Sequence, residues 1–223
     1  MQFRHEAKHE INAFDIPILR QRLRAVMKPD RYAIDGQYEV RSLYFDDLAD
    51  RALREKLDGA AVREKFRIRL YNHDPSAIFL ERKYKCGHHG HKTSVALTPW
   101  QAQAVAEGNL GWMSQSEDEM ILAFYTRILT GGLKAQVIVD YTREPFVFAP
   151  GNVRVTLDYN IRTGMTCTDF LNPACVTLPI RPSPCILEVK WDSYLPAVIR
   201  GAIQLDGRRG AAFSKYAASR MYD

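Results

Sequence analysis

The segment VREKFRIRLYN, residues 62–72, alternates charge and hydrocarbon. Lys65, Arg67, Arg69 and Tyr71 fall on one parity, and Phe66, Ile68 and Leu70 on the other. Successive side chains of a β-strand point to opposite faces, so the spacing predicts a strand with one face in a core. The other face sets three cations side by side, and their repulsion worsens away from bulk water. An ordinary solvent face mixes its signs. The question is whether other strands repeat the pattern.

They do. FRHEAKHEI places Arg4, Glu6 and Lys8 together, and AIFLERKYK places Glu81, Lys83 and Lys85 opposite Leu80 and Tyr84. VIVDYTRE contributes Tyr141 and Arg143. VRVTLDY sets Arg154, Thr156 and Asp158 against Val153, Val155 and Leu157, and ILEVKW sets Glu188 and Lys190 against Leu187, Val189 and Trp191. A sheet with one wet face gives similar alternation. Here, however, the polar faces are rich in Arg and Lys rather than Ser, Thr or Gln, and the carboxylates are too few to match the cations. If such faces converged inside a barrel, the clustered charge would be costly to desolvate. A polyanion relieves that cost: Arg offers paired donors to phosphate oxygens and Lys a compact charge. The few carboxylates suit a divalent cation that prefers oxygen ligands and bridges phosphates.

The chain has 223 residues, 46% hydrophobic and 26% charged, which fits one large domain, read over residues 1–223. Its net charge of +5 permits an anionic partner without requiring one. No long apolar run suggests a transmembrane helix, and the N-terminal MQFRHEAKHEINAF lacks the apolar stretch of a signal peptide. The expectation is therefore a cytoplasmic protein whose four cysteines, Cys86, Cys167, Cys175 and Cys185, are reduced thiols.

Helices punctuate the strands. DIPILRQRLRAVM is expected to start on Asp15 as N-cap, and TPWQAQAVAEG on Thr98 with Gly108 as its stop. SEDEMILAFYTRILTGG is a longer helix, and SYLPAVIRGAIQL and FSKYAASRM are helical near the end. Trp100, Trp112 and the EMILAFYTRIL stripe read as core, and Asp46 and Asp47 as a helix cap rather than metal ligands. CGHHGH gathers Cys86, His88, His89 and His91, but the spacing matches no standard four-ligand zinc pattern and reads as a glycine-rich hairpin loop. About eight antiparallel strands with helices between them define an α+β chain able to close into a barrel or tunnel.

The strings RHEAKHEI, YEVRSLYFDD, REKFRIRLYN, FLERKYK, VIVDYTREPFVF, NVRVTLDYNIR, ILEVKW and AFSKYAASR occur in this order from about Phe3 to Arg220. Together they resemble the VTC domain, the polyphosphate polymerase branch of the triphosphate tunnel metalloenzymes. The resemblance implies a closed antiparallel β-tunnel flanked by helices, holding triphosphate or polyphosphate with Mn²⁺ or Mg²⁺. It further implies transfer of the terminal phosphoryl group of ATP onto a growing polyphosphate chain. By the same resemblance Lys8, Arg67, Arg69, Lys83, Arg143, Arg154 and Lys215 are tunnel bases, and Tyr141 and Ser214 contact phosphate. Glu188 matches the metal-binding glutamate. Lys85, Lys92 and Lys190 are additional tunnel cations, and Glu6 and Asp158 point inward as metal ligands or as neutralisers of nearby bases, a place Glu81 shares.

The sequence departs from the eukaryotic pattern at GAAFSKY, where alanines replace a lysine before the Ser-Lys pair and Arg208 and Arg209 lie nearby. No phosphate-sensing domain or membrane segment accompanies the motif set, so this chain alone is not expected to channel product across a membrane, and a membrane partner is compatible with the reading. Oligomeric state is not legible. A tunnel triphosphatase and a non-catalytic polyphosphate-binding module are the competing readings. Nucleic acid is not expected, because the cations alternate within strands instead of sharing a surface with exposed aromatics.

Overall fold

The computed structural model describes residues 4–222 apart from 88, 206, 209 and 211, with the side chains of 89 and 222 also outside the description. His88 and Arg209, singled out in the sequence, therefore lie outside the described residues. In chain order the elements are β1 (His5–Ile11), α1 (Asp15–Val26), β2 (Lys28–Pro29), β3 (Tyr38–Asp46), α2 (Arg51–Leu57), β4 (Val62–Tyr71), β5 (Asp74–Cys86) and β6 (His89–Leu97). There follow α3 (Pro99–Glu107), α4 (Glu119–Gly131), β7 (Lys134–Phe148), β8 (Val153–Thr163), β9 (Leu178–Pro179), β10 (Cys185–Trp191), α5 (Ala197–Ala202) and α6 (Lys215–Ser219). Strands alternate with helices in the α+β manner expected, and eight of the strands form one sheet path with antiparallel pairing.

The chain divides into two compact units, and the long strand β7 contributes residues to each. The first comprises Met1–Glu39, Tyr141–Ile161 and Pro179–Phe213. Its strand order is β1-β10-β8-β7, with β2 on β7. One face of this sheet buries Val153, Val155, Leu157, Leu187 and Val189 against Leu19 and Leu23 of α1 and Ile199 of α5. Every one of those strand residues sits on the apolar parity read from the sequence.

The second unit comprises Val40–Asp140, Arg162–Leu178 and Ser214–Asp223, with strand order β7-β3-β4-β5-β6. Its core packs Phe45, Phe66, Ile68, Leu80 and Ile138 with Phe124 of α4 and Phe170. Phe124 meets Phe66 at 4.8 Å in a stacked pair and Phe45 at 5.0 Å edge-on. Aromatic pairs at these separations add to simple area burial.

Helix boundaries follow their capping chemistry. Thr98 and Gln101 form a reciprocal capping box, and Gly108 ends α3 at φ 82. Asp118 accepts from the backbone N–H groups of Met120 and Ile121 at the start of α4. Asp46 and Asp47 do act as caps: Asp46 accepts from Ala52 and Leu53, and Asp47 from Arg51. Two expectations need correction. Asp15 is the first helical residue of α1, not its N-cap, because it exchanges hydrogen bonds with Asn12 and pairs with Arg208. Trp100 is 65% exposed, since the capped N-terminus of α3 holds it outside the core; Trp112 is the partly buried member of the pair.

Candidate active site

Each unit presents its own charged sheet face. In the second unit the registers of β4, β5 and β6 place Lys65 opposite Lys83 and Lys83 opposite Lys92. Arg67 lies opposite Glu81, and Arg63 opposite Lys85. Like charges directly across a ladder destabilise a sheet, so a row of three lysines is an electrostatic burden on the fold alone. The two arginines are largely withdrawn from solvent, the side chain of Arg69 being 6% exposed and that of Arg67 21%, whereas that of Lys92 is 51% exposed.

Glu81 organises this face. Its carboxylate accepts from Arg67 Nε at 2.7 Å and from Lys92 Nζ at 2.5 Å, with Arg69 Nη1 at 3.8 Å. Burial alone would raise its pKa, but Arg67, Arg69 and Lys92 outweigh burial and hold it at about 2. Tyr44, on the adjacent strand β3, accepts from Arg67 Nη1 at 2.9 Å and lies beneath Lys65, whose Nζ is 5.6 Å from the ring centroid. Burial would raise the phenol's pKa, yet Arg67, Lys65 and Arg69 pull it down to about 7. A phenolate-band absorbance step with a midpoint near 7 is therefore expected in the native protein and absent in Tyr44→Phe. A native spectrum with phenolate signal rising only near the ordinary tyrosine range, about 10, would contradict this electrostatic reading.

Ser42 accepts from Arg69 Nε at 3.0 Å, so β3 supplies hydroxyls that aim the two β4 arginines. Tyr44 also stacks on Tyr216 of α6 at 5.1 Å, and Tyr216 donates to Asp46 at 2.7 Å. That contact fixes α6, where Lys215 is the first residue and the Ser214 hydroxyl accepts from Ala217 N at 3.3 Å. Ser214 is thus a helix cap in this structure.

In the first unit the face is a checkerboard. Across β1, β10 and β8 one row reads Glu6, Lys190, Arg154 and the next reads Lys8, Glu188, Thr156. Lys190 Nζ is 2.5 Å from Glu188 Oε1, Arg143 Nη2 is 3.9 Å from its Oε2, and Lys8 Nζ is 2.7 Å from Glu6. Burial would raise Glu188, but Lys190, Lys8 and Arg143 hold it well below the usual carboxylate range. Burial would likewise lower Lys8, but Glu188 and Glu6 raise it. Asp158, fully buried, engages Arg143 through both oxygens at 2.6 and 2.7 Å, and the Arg143 guanidinium lies 5.3 Å from the Tyr141 ring centroid. Arg154 donates to Tyr38 at 2.8 Å and pairs with Asp30 at 3.1 Å.

Two buried polar atoms on this face, Arg154 Nε and Thr156 Oγ1, have no hydrogen-bond partner. Buried donors are nearly always satisfied, so their position in the rows beside Glu188 marks a place where a polar ligand fits. An oxygen-seeking divalent cation suits Glu188, which is anionic and faces Thr156. Mg²⁺-type ions commonly take only one or two protein carboxylates and complete their shell with phosphate oxygens and water. Among the described residues no three His, Cys, Asp or Glu side chains gather into a dedicated cage. Both Asp158 oxygens are engaged by Arg143, which leaves Glu188 the better ligand of the two.

The strand cations and carboxylates predicted for the site thus fall on the two polar faces, while Lys215 is the first residue of α6. Lys8, Arg143, Arg154, Lys190, Tyr141, Glu6, Asp158 and Glu188 belong to the first unit. Arg67, Arg69, Lys83, Lys85, Lys92, Ser214 and Lys215 belong to the second. Sequence reasoning overlooked Ser42, Tyr44 and Tyr38 as partners. The parity of YEVRSLYFDD carried a signal, since Tyr38, Ser42 and Tyr44 share one face.

The sequence profile of the VTC domain matches residues 3–222. Among solved structures, a candidate adenylate cyclase from Bacillus halodurans is similar at 12% identity and TM-score 0.53, over 85% of this chain and 80% of that one. The PH1012 protein of Pyrococcus horikoshii OT3 aligns over 88% of this chain and 81% of that one, at 12% identity and TM-score 0.43. No curated protein matches the chain significantly. Among the described residues no helix is long and apolar enough to cross a membrane.

Proposed function

From the premise that the chain belongs to the VTC domain family, we propose that it transfers the terminal phosphoryl group of ATP onto a growing inorganic polyphosphate chain. The observation that carries this reading is the cross-strand row Lys65–Lys83–Lys92 beside Arg67 and Arg69, a half-buried cationic face that a polyanion neutralises. The family match supports a triphosphate-handling enzyme.

In the proposed step a terminal phosphate oxygen of the polyphosphate bonds to the γ-phosphorus of ATP, the bond from that phosphorus to the β-bridging oxygen breaks, and ADP leaves. Phosphoryl transfer asks mainly for positioning and charge stabilisation. Arg67 and Arg69, aimed by Tyr44, Ser42 and Glu81, would hold non-bridging oxygens in the second unit. In the first, Lys8, Arg143 and Arg154 would do the same around Glu188. A Mn²⁺ or Mg²⁺ ion on Glu188 would neutralise adjacent phosphates and ease departure of the diphosphate. The attacking phosphate is already anionic, so no strong general base is required, and orientation converts an encounter into an in-line arrangement.

The test is ³¹P NMR of purified protein with ATP, Mn²⁺ and a short polyphosphate primer. Growth of the mid-chain phosphate signal together with ADP is expected. Free phosphate or triphosphate as the product would replace this reading with a tunnel hydrolase. Retained polyphosphate binding without turnover would replace it with a binding module.

A further inference from the structure

The segment between β8 and β9 carries two cysteines that phosphoryl transfer does not use. Cys167 Sγ and Cys175 Sγ lie 2.8 Å apart. A disulfide bond is about 2.05 Å long, so less than about 1 Å separates this contact from covalent linkage.

The backbone holds them there from several directions. Gly164 N donates to Ile138 O at 2.7 Å, and a methyl group at Gly164 would come within 3.0 Å of the Ile138 Cβ, so this end of the segment lies tightly on β7. Phe170, midway between the cysteines, is fully buried in the core of its unit. Arg41 is a cation on the apolar side of β3. It pairs with Asp140 through two bonds of 2.9 Å and donates to the carbonyl of Asn172 at 2.6 Å. Cys175 N donates to Asn172 O at 3.1 Å, and Cys167 N to Gly164 O at 2.9 Å. The two thiols are thus positioned by a turn, a buried aromatic anchor and a bidentate ion pair. Both are only partly buried, and Asp169, Ala174 and Val176 around them are exposed.

We propose that Cys167 and Cys175 form a reversible oxidation site that takes a disulfide-class oxidant and closes to an intramolecular disulfide. The Cys167 thiolate attacks one sulfur of the oxidant's disulfide, forms a mixed disulfide and releases the first thiol. Cys175 gives its proton to solvent, its thiolate attacks Cys167 Sγ, and the second oxidant thiol leaves. Two protein thiols are oxidised, one oxidant disulfide is reduced to two thiols, and no further electron acceptor is needed.

The order of events follows from the surroundings. Burial, and then the hydrogen bond to Cys167, push the Cys175 thiol up to about 12, so it rests as the protonated partner while Cys167 attacks first. Arg41 opposes that rise, and Asp140, paired with it, adds to it. Closure would tie together the two sides of the Phe170 anchor. It leaves the arginines on the opposite face of β4 untouched, so the proposal stands or falls apart from the phosphoryl-transfer reading.

The test equilibrates the full chain in reduced and oxidised glutathione mixtures, alkylates the remaining thiols and maps peptides by mass spectrometry. Chymotryptic cleavage after Phe170 separates the two cysteines, so a disulfide leaves two joined peptides that reductant frees. The expected result is this linkage, with Cys86 and Cys185 alkylated and the degree of oxidation independent of protein concentration. The linkage should vanish in Cys167→Ser and in Cys175→Ser and persist in the Cys86→Ser/Cys185→Ser double variant. Glutathione adducts without the internal link would overturn the proposal. So would disulfides that form only between chains, or alkylation of both thiols at every ratio.

Discussion

Arg67→Ala is expected to lower turnover by roughly 100- to 1,000-fold, the range seen when one preorganised donor to a developing charge is removed. Loss of stability will accompany it. Arg67 is one of three cations around the buried carboxylate of Glu81, and its removal leaves that charge to Lys92 at 2.5 Å and Arg69 at 3.8 Å. The sequence points Glu81 inward without showing that it faces Arg67, fourteen positions away, and so leads to the expectation of an intact fold. The two effects separate in the double variant Arg67→Ala/Glu81→Gln. Neutralising Glu81 should recover much of the lost stability, measured by urea unfolding, while turnover stays low. Recovery of turnover along with stability would show that Arg67 acts on the fold and not on phosphate.

Glu188→Gln is the second large effect. The substitution keeps the side chain's volume, removes its charge and should abolish metal-dependent turnover, with a loss of at least about 100-fold. The carboxylate is nearly buried and held ionised by Lys190, Lys8 and Arg143, so it is anionic throughout the neutral range. Polyanion binding depends on the cations and should survive, and it should even strengthen, since a negative charge leaves a face that includes Lys8, Arg143 and Arg154. Titration of polyphosphate into both proteins, with and without Mn²⁺, distinguishes the cases. If Glu188→Gln retained full Mn²⁺-stimulated turnover, the metal would have to be placed elsewhere.

Acid should expose the role of Glu81 independently of activity. Its folded pKa of about 2 lies below the ordinary glutamate value, so its contribution is fully present above about pH 4.5. That contribution fades as pH falls toward 2. Glu81→Gln should therefore show a shallower loss of stability between these limits than the wild type, by roughly 3 kcal/mol. Parallel acid-unfolding curves would remove Glu81 from its central place among the arginines.

The alternation of residues 62–72 and its repeats made the strands, their apolar faces and most of the charged side chains legible. Period two is a direct projection of backbone geometry, and a capping residue such as Thr98 announces a helix start in the same local way. Partners at long range were not legible. Nothing in VREKFRIRLYN shows that Lys65 and Lys83 face one another, because register is set by turns and by packing across strands. Arg41 interrupts the apolar side of its strand, and its pairing with Asp140, ninety-nine positions on, together with its bond to the Asn172 carbonyl, explains how a guanidinium can sit there 2% exposed. Asp15 failed as a cap for a similar reason, since an Asn12 partner and a distant Arg208 compete for its oxygens.

The central claim concerns which bond is made and which is broken. ATP labelled on the γ-phosphate, run beside ATP labelled on the α-phosphate, tests it most directly with Mn²⁺ and a polyphosphate primer. The account predicts that γ-label enters acid-insoluble polyphosphate one phosphoryl group per ADP formed, while α-label remains entirely with the nucleotide. Label recovered as free phosphate, with none in the polymer, would contradict it.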